Sequence, residues 1–242
     1  MQNECIIIIP CFNEEKRLDI NAYQSFLNLT KSFSICFIND GSTDNTIDLL
    51  TQIKKNSPNT ILIDLKKNLG KAEAIRHAVL HIEGDYKHIG YLDADLSTPL
   101  QEFERLFKNK RPHADFVFGS RMKKLGTSIK RSFARHISGR IIATITDVYI
   151  LKLPIYDTQC GAKLMTTHLA KQLFKRPFVG NWLFDIELFL RAQKIINPKT
   201  FITEVEEFQL IEWYDRGGSK IKLIDIIKLP LELYKIRKHY KS

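Results

Sequence analysis

The sequence predicts an α/β protein built on a mostly parallel, doubly wound sheet. Three observations lead there. Short apolar runs recur at residues 5–10, 33–38, 60–65 and 89–92, and their near-continuous hydrophobicity suits strands buried on both faces. Segments with helical spacing separate them. Each run also ends in a polar loop rich in Asn, Asp or Gly, the edge where such sheets bind ligands. With 242 residues and 44% hydrophobic content, the chain can bury a large core.

Cys5-Ile-Ile-Ile-Ile-Pro10 is the first predicted strand, closed by proline. The loop Cys11-Phe-Asn-Glu-Glu follows, with Asn13 placed to cap a helix over about 16–29 that carries Leu18, Phe26 and Leu29. The second strand, 33–38, runs into Asn39-Asp-Gly-Ser-Thr-Asp44. Thr43 can cap the next helix, with Ile47, Leu50 and Ile53 on one face. A third strand over 60–65 leads to Asn68-Leu-Gly-Lys71 and a helix over 72–82 that groups Ala74, Ile75, Ala78 and Val79. After the fourth strand, a helix is expected over 100–109 and a strand over 114–118, ending at Gly119-Ser-Arg121. Helical spacing returns at 141–151, near 168–175 and from Asn181 onward, and a strand is expected over 200–208.

The net charge of +10 admits anionic partners: nucleic acid, an anionic membrane or a phosphorylated substrate. No nucleic-acid-binding motif accompanies it. The four cysteines have no metal-ligand spacing and read as reduced thiols, as in a cytosolic protein. No basic n-region opens the chain, and no apolar run reaches the ~20 residues of a spanning helix. The protein is therefore expected to be soluble or to lie on a membrane surface.

Chemistry concentrates at Asp93-Ala-Asp95, just after Ile89-Gly-Tyr-Leu92. On an extended strand, residues two apart share a side, so both carboxylates would point one way. Two hard oxygen donors there suit Mg²⁺ or Mn²⁺, which can neutralise a nucleotide diphosphate. Lys71 opens a helix, where a cation and free N–H groups can meet phosphate; it can equally be a solvated first-turn lysine.

Pro10-Cys-Phe-Asn-Glu14, Asn39-Asp-Gly-Ser-Thr-Asp44, Asn68-x-Gly-Lys71, Asp93-Ala-Asp95 and Gly119-Ser-Arg121 occur in an order that resembles family 2 glycosyltransferases of the GT-A fold. Asp157-Thr-Gln-Cys-Gly-Ala-Lys163, Trp182-Leu-Phe-Asp-Ile-Glu-Leu188 and Gly218-Ser-Lys220 are more similar to dolichyl-phosphate β-glucosyltransferases than to their mannosyl relatives. The resemblance implies a GT-A domain over 1–220, with a nucleotide-sugar half at 1–121 and an acceptor half at 122–220, then an amphipathic basic segment at 221–242. It implies transfer of glucose or a similar hexose from a UDP-sugar to a polyprenyl phosphate, with inversion.

The same resemblance implies residue roles. Pro10, Asn13 and Glu14 would line the base and ribose pocket, and Asp40 would accept from the uracil N–H. Lys71 would serve the diphosphate. Asp93 would handle ribose and metal, and Asp95 would be the direct metal ligand and a catalytic residue. Arg121 would bind the acceptor phosphate, with Arg131 or Arg135 as second partner. Asp157 and Gln159 would shape the acceptor side.

Asp185 would be the catalytic base if the acceptor were a glycan hydroxyl; a lipid phosphate is already anionic and needs no strong base. Asp185 can also be read as a first-turn acid favoured by the helix dipole. Hydroxyl transfer is the alternative enzyme, and a basic membrane-surface or nucleic-acid-binding module is a third reading. The tail, with Leu231 and Tyr234 among Lys and Arg, reads either as an interfacial helix or as one packed on the domain. A polyprenyl acceptor would place the protein peripherally on the inner, cytoplasmic face of a membrane.

Overall fold

The structure is a computed structural model that describes residues 4–130, 150–217 and 223–240. Arg131, Arg135, the 141–151 helix except its last two residues, and Gly218-Ser-Lys220 lie outside those residues.

The strands are β1 (Cys5–Cys11), β2 (Phe33–Asp40), β3 (Thr60–Leu65), β4 (His88–Tyr91), β5 (Phe116–Ser120), β6 (Ser128–Lys130), β7 (Lys163–Thr166), β8 (Val205–Gln209) and β9 (Glu212–Tyr214). The helices, renumbered among the described residues, are α1 (Ile20–Leu29), α2 (Thr46–Asn56), α3 (Lys71–His81), α4 (Leu100–Asn109), α5 (Thr167–Leu173), α6 (Phe184–Ile195), the single turn α7 (Phe201–Glu204) and α8 (Leu223–Tyr240). Seven strands form one sheet in the order β3-β2-β1-β4-β7-β5-β8, and β6 pairs with β9 apart from it. All neighbours in the large sheet are parallel except β7, which lies antiparallel between β4 and β5.

The uninterrupted isoleucines of β1 serve two cores. Ile6 and Ile8 face a cluster with α3, α5 and α6, whereas Cys5, Ile7 and Ile9 face Tyr23, Phe26, Leu50 and Phe103. A strand covered on both faces needs no polar side.

The chain proceeds outward from β1 to β2 and β3, then returns to lay β4 on the other side of β1. The loops after β1 and β4 therefore diverge, leaving a crevice at the carboxyl edge. Gly41 lets the β2 loop fold tightly there. Its φ is +64°, and a Cβ would come within 2.4 Å of the Lys67 backbone.

Local signals misplaced several boundaries. Asn13 caps no helix; α1 starts later, with Asp19 accepting from the Ala22 N–H at 3.0 Å. Asn45, rather than Thr43, holds the N-cap of α2. The strand expected over 200–208 begins only at Val205, because residues 201–204 form a helical turn.

Residues 229–240 of the tail pack on the domain. Leu229, Leu233 and Ile236 of α8 are buried in the core, while Leu231 and Tyr234 stay exposed. Glu232 accepts from the N–H groups of Trp182 and Leu183, both at 2.9 Å, at the N-terminal end of α6. Among the described residues, no helix is long and apolar enough to cross a membrane. Glu232→Ala removes the acceptor for two helix-end donors and is expected to cost about 1–2 kcal/mol. Urea unfolding checks it; an unchanged midpoint would show that α8 does not brace α6.

Candidate active site

The site assembles at the crevice from loops that the strand ends deliver. Glu14, 4% exposed, is fixed after β1: its N–H donates to Thr46 Oγ1 at 2.8 Å, and its carboxylate takes both arms of Arg17 at 2.8 Å. Arg17 also approaches Asp95 Oδ2 at 3.7 Å, linking the β1 and β4 loops. Pro10 lies half-buried near the end of β1.

Asn13 adopts a left-handed φ of 50° that asparagine tolerates. It joins the β1 and β2 loops: its N–H donates to Ser42 Oγ, and its Oδ1 accepts from the Thr43 N–H at 2.8 Å.

Asp40 is buried at the end of β2 and accepts from the N–H groups of Leu69 (2.7 Å) and Gly70 (2.9 Å). Burial pushes its carboxyl up, and these two N–H groups pull it partly back. Its visible work is to pin the 68–70 loop and so place Lys71 at the first position of α3.

The Asp93-Ala-Asp95 pair does not continue a strand. Pairing ends at Tyr91, and a turn follows in which the Leu96 N–H donates to Asp93 O. The period-2 expectation therefore fails, and the two carboxylates meet different cations. Asp93 Oδ1 lies 2.5 Å from Lys71 Nζ, whereas Asp95 Oδ1 accepts from the Ser97 N–H and its Oδ2 faces Arg17. Burial pushes the Asp93 carboxyl up, but the Lys71 charge and hydrogen bond, with help from Arg121 and Lys163, hold it below the usual carboxylate range. For Lys71, burial is outweighed by Asp93 and Asp185, so its ammonium is held above the ordinary lysine value.

An open cleft of about 250 Å³ borders Asp95, lined by Lys16, Arg17, Asp19, Leu96 and Arg216. Among the described residues, no three His, Cys, Asp or Glu side chains converge to hold an ion. The candidate donors are the two carboxylates of Asp93 and Asp95. That fits Mg²⁺ or Mn²⁺, which commonly takes one or two protein carboxylates and completes its shell with phosphate oxygens and water.

Behind the turn lies a second pair. Asp185, at the start of α6 and 4% exposed, has Oδ1 2.8 Å from Lys163 Nζ, and the same oxygen accepts from the Tyr91 hydroxyl. Lys163 is fully buried in β7 and also donates to the carbonyls of Cys160 (2.8 Å) and Thr158 (3.2 Å). Gly161 closes the gap: a Cβ there would come within 2.0 Å of Asp93 Oδ2.

Arg121, just past β5, directs its fork at Asp157, with Nε–Oδ2 2.6 Å and Nη2–Oδ1 2.8 Å, and stacks 5.3 Å from the Trp213 ring. Asp157 is in turn placed by its own N–H and that of Tyr156, both donating to Glu207. Gln159 follows directly, with its Nε2 buried and unbonded among the described residues.

The structure therefore brings Glu14, Lys71, Asp93, Asp95 and Asp185 around one edge, with Arg121 braced on the other side of Asp157. Arg17, Tyr91, Lys163 and Gly161 escaped the reading of the sequence as contributors. A lysine inside the apolar run Ala162-Lys-Leu-Met165 was the available signal, because a buried ammonium needs a partner.

The fold, a mostly parallel sheet with charged loops gathered at its carboxyl edge, is one that comparison with known proteins places in a family. The glycosyl transferase family 2 profile matches residues 6–174, and the chain belongs to that family. It is therefore a glycosyltransferase, which sets aside the non-catalytic module. Particular relatives are narrower. A dolichyl-phosphate beta-glucosyltransferase of Trichomonas vaginalis is 31% identical over 97% of this chain and 73% of its own length. Those of Dictyostelium discoideum (32%) and Saccharomyces cerevisiae (29%) each match over 97% of this chain and 74% of theirs. Among solved structures, glucosyl-3-phosphoglycerate synthase from Mycobacterium tuberculosis in complex with uridine diphosphate superposes with a TM-score of 0.70 at 13% identity. That match covers 99% of this chain and 80% of the synthase, and it establishes the shared GT-A fold.

Lys71→Met should release Asp93 toward an ordinary carboxylate pKa. In the wild type, the stability from this lowered carboxyl is present above the unfolded value of about 4 and lost as pH falls through the lower folded value. In the variant, that contribution should be absent, so its stability should fall less than the wild type's as pH drops below about 4. Urea-unfolding free energies between about pH 3 and pH 6 test it; parallel curves for the two proteins would refute the coupling.

Proposed function

We propose that this chain transfers glucose from UDP-glucose to a polyprenyl phosphate, inverting the anomeric centre. The arrangement of Asp185 carries the choice of acceptor. A hydroxyl acceptor needs a base within reach of its proton, but Asp185 is buried and its Oδ1 is spent on Lys163 and Tyr91. A phosphate acceptor, with a second pKa near 6 by analogy with phosphoamino acids, arrives already charged. The relatives, dolichyl-phosphate beta-glucosyltransferases, support the same acceptor and sugar.

In this reading, a phosphate oxygen attacks the anomeric carbon, the bond to UDP breaks, and its electron pair leaves with the diphosphate. Asp93 and Asp95 would hold a divalent cation that neutralises diphosphate charge when bound; neighbours of the same fold crystallised with Mn²⁺ and UDP are consistent with this. Lys71, aligned by Asp93 at the start of α3, supplies a fixed positive charge beside the leaving group. Glu14 orients Arg17 toward the same place. Pro10, Asn13 and Asp40 serve the nucleoside side, with Asp40 using lone pairs left over from its two backbone bonds. Arg121 serves the acceptor phosphate through donors not engaged by Asp157, together with Arg131 or Arg135. A polyprenyl acceptor places the protein at a membrane surface, and we assign that surface to the inner, cytoplasmic face.

The experiment offers radiolabelled UDP-glucose to a polyprenyl phosphate and, in parallel, to a glycan with free hydroxyls. Label is expected in acid-labile lipid phosphate, with EDTA abolishing transfer and Asp95→Asn lowering kcat at least about 100-fold. Label entering only the glycan would overturn the acceptor assignment. Asp185→Asn is a poor discriminator, because it leaves the buried Lys163 ammonium without its counter-charge and costs stability whichever acceptor is right.

A further inference from the structure

Immediately after Arg121 the chain projects a short turn that is tied down at its base and exposed at its tip. Residues 121–130 contain Arg121, Lys123, Lys124 and Lys130 and no acidic residue. Lys123 and Lys124 are exposed and form no ion pair among the described residues. At the tip sits Leu125, at 102% relative exposure the most exposed of the large hydrophobic residues described.

The tip is held rather than left slack. The Lys124 N–H donates to Thr127 Oγ1 (3.1 Å), and the Thr127 hydroxyl and N–H both donate to Lys124 O (2.7 and 3.2 Å). Gly126 supplies the left-handed φ of +83° that the turn requires. At its base, Met122 O accepts from Gln209 Nε2 at 2.8 Å, and the Ser128 N–H donates to Ile211 O at 2.7 Å. A fully exposed leucine fixed at the apex of a braced turn, beside Lys123 and Lys124, which form no ion pair among the described residues, matches the chemistry of an anionic bilayer surface, with an apolar knob for the acyl boundary and ammonium groups for the headgroups.

We propose that the turn at residues 123–127 docks the enzyme on anionic lipid headgroups, with Leu125 entering the acyl boundary. This rests on the polyprenyl-phosphate reading for its purpose: it would set the Arg121 side of the site against the surface where such an acceptor's phosphate emerges. The competing surface is the exposed face of α8, Leu231 and Tyr234 with Lys235 and Lys238, whose helix already spends Leu229, Leu233 and Ile236 on the core.

The test is co-sedimentation of the full chain with phosphatidylcholine vesicles, with and without phosphatidylserine. Wild type should bind only the anionic vesicles. Leu125→Asp and the double variant Lys123→Glu/Lys124→Glu should each lower the bound fraction about tenfold with unchanged Tm, while Leu231→Asp binds as wild type. Wild-type binding by Leu125→Asp, release by Leu231→Asp instead, equal binding to both vesicle types, or no binding by wild type would overturn the proposal. Transfer to a short-chain, water-soluble polyprenyl phosphate, measured without vesicles, separates the two readings. Leu125→Asp should work there at the wild-type rate. If even the wild type fails in that assay, the acceptor reading falls and the docking result stands by itself.

Discussion

The architecture of the site depends on one buried ion pair, Lys163 with Asp185. Their side chains are 0% and 5% exposed, so both charges have left water, which is costly unless every donor and acceptor is met. Here the ammonium reaches the carboxylate and two carbonyls, and the carboxylate also receives the Tyr91 hydroxyl. One contact thereby ties β7, the end of β4 and the start of α6 together. Those elements form the floor on which the Asp93 turn rests, with Gly161 leaving just enough room for its carboxylate. The outer pairs, Lys71 with Asp93 and Glu14 with Arg17, sit on that floor and inherit its geometry.

This layering separates positioning from chemistry. The inner charges are buried and paired, whereas Arg17 borders the open cleft beside Asp95 and the side chains of Lys71 and Asp93 are 30% and 41% exposed. In the proposed reaction, Lys71 would exchange part of its interaction with Asp93 for a phosphate while both side chains stay partly open to solvent. Asp185 has no such freedom, since any proton it took would weaken its hold on Lys163. The same contrast appears beyond β5, where Asp157 keeps Arg121 rigid and charged.

Much of the fold was legible in the sequence because parallel strands buried on both faces leave unmistakable apolar runs, as in Ile6-Ile-Ile-Ile9 and Phe33-Ser-Ile-Cys-Phe-Ile38. The polar loops after them placed Glu14, Asp40, Lys71 and Asp93 at a common edge. Details set by tertiary contact were not legible. Nothing local says that Tyr91 is the last paired residue, or that Asp19 wins the helix cap over Asn13. The partners of Asp93 and Arg121 lie 22 and 36 residues away, so pairing could not be read from spacing. The amphipathic tail was ambiguous for a similar reason, because a basic helix packed on a domain and one lying on lipid share a pattern until their buried face is seen.

The antiparallel insertion of β7 has a consequence for synthesis. The central strand β4 ends at Tyr91, but the neighbour that seals its outer edge ends at Thr166, and β5 must wait for the same segment before joining the sheet. At about 5–20 residues per second, a ribosome takes roughly 4–15 s to make the intervening 75 residues. Throughout that interval the amino-terminal strands carry an unpaired, hydrophobic border. The nascent chain is thus most vulnerable to sticking to its neighbours midway through translation, and a chaperone acting on it would find its opening there.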